Sequence, residues 1–343
     1  MQAATCAALF VSSAFGSPAY TFTRLNPGGS VNEFESGGIN NNGVVVSTVN
    51  GHLFTYNIAT NTYTNYNSIS PSQMGGIDDS GKIVYTSSVG GNFDGTVFNP
   101  TTNSITSFSD PSAGQFTFAD GVSGNGNNIA GYYDDASFNQ NGFLKSGSTF
   151  TDIIYPGPHG QIYLWDTNNA GDVVGLSSCC RSGLNFLKQG STFTTIFDPL
   201  GHDNNGIAYS LNDLDQVVGW YDNGSGGPVH GMFWQSGTSV TIDYPGALST
   251  VLNGINDSGV IFGGATDANG SFLFVATPIP ATTPEPATCL LIGGALCGLG
   301  YRRRRINTRM STLAAGTATH RVASGATQRV ALRGIALVLR REA

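Results

Sequence analysis

Ile39-Asn40-Asn41-Asn42-Gly43-Val44-Val45 is the stretch on which the fold turns. An apolar residue leads into a short run of Asn, Asp or Ser, then a glycine, then a β-branched pair. Asn, Asp and Gly tolerate the left-handed backbone of a tight turn, and Val and Ile are strand formers, so the stretch reads as a hairpin tip. The wording returns as Ile77-Asp78-Asp79-Ser80-Gly81-Lys82-Ile83-Val84, and as Val122 to Ala130 with one extra residue. It returns again as Thr167-Asn168-Asn169-Ala170-Gly171-Asp172-Val173-Val174, as Leu211 to Val218, and as Ile255-Asn256-Asp257-Ser258-Gly259-Val260-Ile261. Equivalent positions in the second strand of each hairpin fall at Ser47, Tyr85, Gly131, Gly175, Gly219 and Gly263, at intervals of 38, 46, 44, 44 and 44.

Working outward from each hairpin, a third strand follows: Leu53-Phe54-Thr55-Tyr56, Val97-Phe98-Asn99, Gly142-Phe143-Leu144, Asn185-Phe186-Leu187, Met232-Phe233-Trp234 and Phe272-Leu273-Phe274. A fourth alternates Thr or Ser with apolar residues, as in Thr62-Tyr63-Thr64, Ile105 to Phe108, Thr149 to Ile153, Thr192 to Ile196 and Ser239 to Ile242. Only five fourth strands follow their hairpins. The sixth stands at the front, where Tyr20 to Gly28 resembles Phe193 to Pro199. Repeats of about 40–50 residues with four strands each are the signature of a propeller. The expectation is an all-β, six-bladed β-propeller over residues 20–276, its last unit closed by the N-terminal strand so that no long edge stays open. A seven-bladed propeller is the alternative, as is a β-solenoid, which would have a shorter period and need no closing strand.

Composition agrees. Charged residues are 11% of the 343, and 33 Phe and Tyr exclude disorder driven by charge. Between Tyr20 and Pro280 there are 20 acids and five bases (Arg24, Lys82, Lys145, Arg181, Lys188), and only two of the acids are glutamates. Helix-surface residues are nearly missing, which excludes a helical bundle and disfavours an α/β enzyme. An acidic body also argues against nucleic acid as a partner.

The two ends carry addresses. Residues 1–19 read as a signal peptide, with an apolar Ala3 to Phe15 and the small residues Ser17 and Ala19 placed for cleavage before Tyr20. At the other end a Pro/Thr-rich linker, 277–283, leads to Pro284-Glu285-Pro286. An uncharged stretch from Ala287 to Tyr301 follows, then Arg302, Arg303, Arg304 and Arg305. As a helix the 15 residues would reach about 22 Å, short of a hydrocarbon core of about 30 Å unless flanking residues help. The arginines would stay cytoplasmic and place the body outside.

This ordered pattern over 284–305 closely resembles the PEP-CTERM sorting signal of Gram-negative bacteria. The resemblance implies an exosortase-type sorting enzyme as partner, transient anchoring in the inner membrane through the C-terminal helix, and release to the cell surface or biofilm matrix. Pro284, Glu285 and Pro286 would be the recognition motif. Such signals normally end at the arginines, whereas 38 residues follow here, 306–343, a basic tail without strand pattern that is expected to be disordered and reads as a frameshift or read-through product. The body itself resembles the extracellular HAF repeat, through His230-Gly231-Met232-Phe233 and Ile242-Asp243-Tyr244-Pro245-Gly246-Ala247. That implies location and fold, with no settled activity.

Candidate chemistry is sparse. Cys6 lies in the signal, and Cys289 and Cys297 in the C-terminal helix, which leaves Cys179-Cys180 as a possible vicinal disulfide. His159 and His202 are 43 residues apart, one repeat, and Asp203 is adjacent, so a His/His/Asp metal site is conceivable beside the simpler reading of two loop histidines. Asp78, Asp79, Asp172, Asp213 and Asp257 sit in or beside the repeated turn, where Asx side chains bond their own backbone. Asp267-Ala268-Asn269-Gly270 superficially suggests calcium, without the remaining ligands of a hand-type loop. Trp165, Trp220 and Trp234 are core or sugar-stacking residues, with core favoured for Trp234. No nucleophile elbow, phosphate loop, HExxH helix or CxxC pair occurs. The expectation is a non-catalytic exported surface or matrix protein without cofactor, its propeller faces binding polysaccharide or protein. A polysaccharide lyase or hydrolase is the alternative, although the irregular first and third units bring no evident acid/base pair.

Overall fold

The computed structural model describes residues 19–31, 37–156, 160–179, 182–202, 205–224 and 227–280. Residues 1–18 of the signal segment 1–19, Cys180, His159, Asp203, the sorting motif with its arginines, and the basic tail lie outside the described residues, as does the side chain of Cys179. The chain divides into two compact units, Met1–Ile279 and Pro280–Ala343. Only the first is described below.

Among the described residues there are 24 strands and no helix. β1 (Tyr20–Arg24) opens the chain. The first meander is β2 (Gly38–Ile39), β3 (Val44–Val49), β4 (His52–Asn57) and β5 (Thr62–Tyr66). Next come β6 (Gln73–Ile77), β7 (Ile83–Val89), β8 (Asn92–Asn99) and β9 (Ser104–Phe108), then β10 (Phe116–Val122), β11 (Asn128–Asp134), β12 (Gln140–Ser146) and β13 (Thr149–Ile153). The fourth meander is β14 (Gln161–Thr167), β15 (Val173–Cys179), β16 (Ser182–Gln189) and β17 (Thr192–Thr195). The fifth is β18 (Gly206–Leu211), β19 (Val217–Tyr221), β20 (His230–Gln235) and β21 (Thr238–Thr241). β22 (Ser249–Ile255), β23 (Ile261–Asp267) and β24 (Gly270–Pro278) end the series.

The strands form four four-stranded sheets and one eight-stranded sheet. In the eight-stranded sheet the second and third meanders are joined at one parallel pairing, Phe93 with Phe116. The last sheet runs β1-β24-β23-β22, so the first strand of the chain pairs antiparallel with the last, Phe22 opposite Ala276 and Arg24 opposite Phe274. The spare strand read at the N-terminus is therefore the missing fourth strand of the last meander.

The hairpin tips turn as their residues require. Gly43, Gly81, Gly126, Gly171 and Gly259 have φ between 70° and 85°, and Asp215 takes the left-handed position at 56° in the fifth tip, where there is no glycine. A second glycine, present in the last four repeats, has a packing reason. Gly131, Gly175 and Gly263 lie opposite Phe143, Phe186 and Phe274 on the neighbouring strand. A Cβ on Gly175 would stand 2.4 Å from the Tyr163 carbonyl oxygen and 2.9 Å from the Phe186 ring. The second meander exchanges the sizes, setting Tyr85 opposite Thr96. Phe54, Phe143, Phe186 and Phe274 are fully buried, and the core lies between facing sheets, as where Val218 and Phe233 meet Leu252, Ala265 and Phe272.

The first Asx residue caps its own turn in five of the six tips, as expected: Asp78 Oδ1 accepts from the Lys82 N–H (2.8 Å) and Asn256 Oδ1 from the Val260 N–H (3.0 Å), while in the third tip the Ser123 hydroxyl accepts from the Asn128 N–H (3.0 Å). The second Asx residue behaves differently. Asp213 Oδ1 accepts from the Asn169 N–H of the preceding meander (2.8 Å), Asp257 Oδ1 from the Asp213 N–H (2.8 Å), Asn41 Oδ1 from the Asp257 N–H (2.9 Å) and Asp79 Oδ1 from the Asn41 N–H (2.8 Å). In parallel, Asn168, Asn212, Asn256 and Asn40 each donate through Nδ2 to the carbonyl of the first Asx residue in the next tip, with Asn256 bonding back to Asn40 (3.0 Å). Asp78 has no amide to donate, and the link there is made by the Asp79 N–H to the Gly124 carbonyl (2.8 Å). At the third tip Asn128, the product of the extra residue, donates to the Asn168 carbonyl in place of Ser123 (3.2 Å). The turn residues thus knit neighbouring sheets together, from the last meander back to the first, which intrinsic turn preference does not foresee.

Candidate functional site

The first strands of the second to sixth meanders bulge at equivalent points. The pairing register slips between Met74 and Ile77, Ala119 and Gly121, Leu164 and Asp166, Ala208 and Ser210, and Leu252 and Gly254. A bulge inserts one unpaired residue and re-aims its side chain, and bulges gather beside functional sites. The inserted residues are Gly75-Gly76, Asp120, Trp165, Tyr209 and Asn253. Gly75, Asp120, Trp165, Tyr209 and Asn253, with Gly37, line two cavities of about 100 Å³ and 70 Å³. Gln73 and Met74 complete the larger one. The smaller adds Asp166 and Ser210 and ends at the linked Asx turns, Asn41, Asp79, Asp213 and Asp257. The bulges therefore line both cavities, which share Gly75, Asp120, Trp165, Tyr209 and Asn253, and the residues differ where the framework repeats.

Two carboxyls stand out. Asp120 Oδ1 accepts from Gln73 Nε2, while its Oδ2 has no hydrogen-bond partner. Burial pushes this carboxyl well above the usual range, the Gln73 bond opposing and the Asp166 charge reinforcing. Asp166 accepts from the Ser210 hydroxyl (2.7 Å), the Leu211 N–H (3.2 Å) and the Thr167 N–H (2.8 Å). Even so, burial pushes it up to about 7. Gly121 permits the close approach of the two bulges, since a Cβ there would lie 2.4 Å from Asp166 Cα and Oδ1.

Two aromatic rings, Trp165 and Tyr209, line both cavities, and further rings pack around Trp165. Trp165 stacks on Tyr163 (5.8 Å between centroids, 4° between planes) and stands perpendicular to Tyr209 (5.8 Å, 89°). Tyr132 meets Trp165 edge-on (6.3 Å, 72°) and continues through Phe118 to Phe93. Burial raises the Tyr132 and Tyr209 phenols, which remain neutral. Trp165 Nε1 is buried without a hydrogen-bond partner.

The residues singled out from the sequence fare unevenly. Trp165 lines both cavities, Trp234 is core, and Trp220 is half-buried on β19. His202 pairs through Nδ1 with Asp198 Oδ2 (3.1 Å), away from both cavities, and its two proposed co-ligands lie outside the described residues. Asp267 accepts from Arg24 (3.1 Å) and from its own loop's Asn269 N–H (2.7 Å). Among the described residues no group of three or more His, Cys, Asp or Glu side chains is arranged for a metal ion. No evident acid/base pair is expected from the first and third units; the two carboxyls here come one each from the third and fourth meanders and meet only between them. Both lie within strands that read as ordinary apolar alternation. Their only signal was a charged residue on an inner strand of each, in Ala119-Asp120-Gly121 and Trp165-Asp166-Thr167.

No family model and no curated protein matches the chain. Among solved structures it is similar to a protein assigned as TolB from Agrobacterium tumefaciens (13% identity, 71% of this chain and 90% of that one, TM-score 0.49). It is also similar to the β-propeller domain of the trilobed protease from Pyrococcus furiosus (10%, 72% and 83%, 0.46). A third is virginiamycin B lyase from Staphylococcus aureus (11%, 76% and 99%, 0.44). Among the described residues the chain is all-β, six successive antiparallel meanders of which the last is completed by the first strand.

Proposed function

We propose that residues 20–276 form a six-bladed propeller acting as a non-catalytic binding module, exported and held at the cell surface or in the extracellular matrix, with polysaccharide as the principal ligand class. The six-blade count is supported by six consecutive meanders, by β1 completing the last, and by the Asx bonds that lead from Asn256 back to Asn40. The observation that carries the binding reading is the bulge set. A regular framework gives the cavities a different bulge side chain from each of four strands, Asp120, Trp165, Tyr209 and Asn253, and Trp165 and Tyr209 there offer ring faces of the kind on which sugars stack. Export rests on the signal-like residues 1–19, and surface sorting on Pro284-Glu285-Pro286 with Arg302 to Arg305, recognised by an exosortase-type enzyme at the inner membrane. A protein ligand at the cell surface is the variant of this reading, and nucleic acid is disfavoured by the acidic body.

One observation favours a second reading. Asp120 and Asp166 are carboxyls raised by burial that line one cavity, and paired carboxyls of unequal environment serve lyases and glycoside hydrolases as acid and base. A glycan array probed with the full chain, run beside a depolymerisation screen on the same sugars, separates the two. Binding without turnover supports the module, turnover of any glycan replaces it with the enzyme, and neither overturns both.

A further inference from the structure

We infer that the larger cavity takes its ligand by an ammonium group, held in the corner formed by Trp165, Tyr209 and the Asp120 carboxyl. The inference deepens the binding reading above where the amine belongs to a glycan, and stands apart from it where the amine is a free one.

Charge is the first ground. The residues lining the two cavities include five carboxyls, Asp79, Asp120, Asp166, Asp213 and Asp257, and no Lys, Arg or His. Asp166 is satisfied by three donors. Asp120 has one, from Gln73, and an oxygen left without a partner. A buried carboxyl of this kind takes a proton or a cation. An anionic ligand would be repelled, and a neutral one would leave the carboxyl protonated with no ion pair formed. A hard metal ion would need several convergent oxygens, and among the described residues no such group occurs.

Shape is the second ground. Trp165 and Tyr209 meet at 89°, two adjoining walls of an aromatic corner, and Tyr163 stacked behind Trp165 holds the indole in place. Ring faces attract organic cations, more strongly where water is excluded, and a neighbouring carboxylate adds a charge-assisted hydrogen bond. Trp165 Nε1, buried and without a partner, supplies a donor for a hydroxyl beside the amine. An amino sugar carries both groups. De-N-acetylated glycan and small free amines share the ammonium chemistry, and the test separates them.

Entry of a cation favours the ionised carboxyl, so binding at neutral pH should release a proton. The groups that face this carboxyl are Gln73, Asp166, Tyr132 and Tyr209, and both phenols stay neutral in this range.

The test is calorimetric titration of the full chain at low salt with three probes: a glucosamine tetramer, the N-acetylglucosamine tetramer and putrescine. The expected result is binding of the glucosamine tetramer at least about tenfold tighter than its acetylated counterpart, with proton release and weakening by salt. Asp120→Asn should lose a similar factor with an unchanged circular dichroism spectrum. Should that variant misfold, the proton release and salt dependence of the unmodified chain decide alone. Putrescine binding as tightly as the glucosamine tetramer would make a free amine the ligand, keeping the ammonium inference without the glycan reading. Equal affinity for both tetramers would overturn the inference and leave the glycan reading standing. No heat with any probe up to millimolar concentration would overturn the inference outright.

Discussion

Removing Tyr20 to Leu25 tests how the body is closed. In the structure these residues supply the outer strand of the last sheet, paired residue for residue with β24 from Arg24–Phe274 to Tyr20–Pro278, and the Leu25 N–H bonds the Leu273 carbonyl (2.8 Å). Leu25 is 3% exposed and belongs to a cluster with Val45, Phe54, Leu273 and Val275, so it bridges the first and last sheets. Phe22 packs on Phe274 (5.6 Å) and edge-on to Tyr244 (5.4 Å). Four or so ladder hydrogen bonds contribute about 1 kcal/mol each net. Burial of Leu25 contributes about 1.5–3 kcal/mol, and the half-buried Phe22 about 1 more. Arg24, which bonds Asp267 and lies 3.8 Å over the Phe272 ring, is half-exposed and adds little. The total, about 7 kcal/mol, is of the order of the whole stability of a domain, about 5–15 kcal/mol. The truncated chain should therefore show no cooperative melt by circular dichroism, or one lowered by tens of degrees. Leu25→Ala alone should cost about 2–5 kcal/mol and lower the midpoint by roughly 5–15 °C. Removing Ala281 to Thr283 serves as the control. If the truncation and the control melt alike, β1 does not close the structure, and the six-blade reading goes with it.

Gly175→Val should be strongly destabilising, on the order of 3 kcal/mol or more by chemical denaturation, because its side chain would enter the space of the Tyr163 carbonyl and the Phe186 ring. The same change at exposed Gly190, where nothing lies within 4 Å of a Cβ, meets no steric clash, only the strain of a positive φ of 54°, and should cost less. The pH profile of stability should carry the mark of Asp166. Its folded value, about 7, lies above its ordinary one, so its contribution is fully present below about pH 4 and is lost as pH rises toward and through 7. Melting of the unmodified chain should accordingly weaken over that window, by on the order of 2–4 kcal/mol from this group, and Asp166→Asn should partly flatten the profile, the raised Asp120 carboxyl supplying the rest. An unflattened profile would remove Asp166 as its source. Replacing Pro284 and Pro286 by alanine should leave uncleaved protein in the inner membrane of a host with the sorting enzyme, read by fractionation and immunoblotting. Release equal to the unmodified chain would mean that the motif does not direct processing.

Local chemistry repeated along the chain was enough to read the strands, their order and the partner of β1. A turn tip such as Asn40-Asn41-Asn42-Gly43 is specified by residues a few positions apart, and six similar tips with one displaced Thr-rich strand leave few ways to pair the ends. The sequence also held the reason for the repeated glycine, although only the register showed Phe143, Phe186 and Phe274 lying across it. The lining of the cavities was not legible in this way. Asp120, Trp165, Tyr209 and Asn253 stand in four different repeats, 44 or 45 residues apart, and nothing local relates them. They converge because the strands that carry them bulge at equivalent positions and the sheets face one another there. The same holds for Asp79, Asp213 and Asp257, whose side chains satisfy backbone groups of a neighbouring sheet and not only their own turn. Turn and strand preferences act over a few residues and are written in the chain. The environment that raises a carboxyl, or sets two rings at right angles, is made of surfaces that exist only after the sheets have packed.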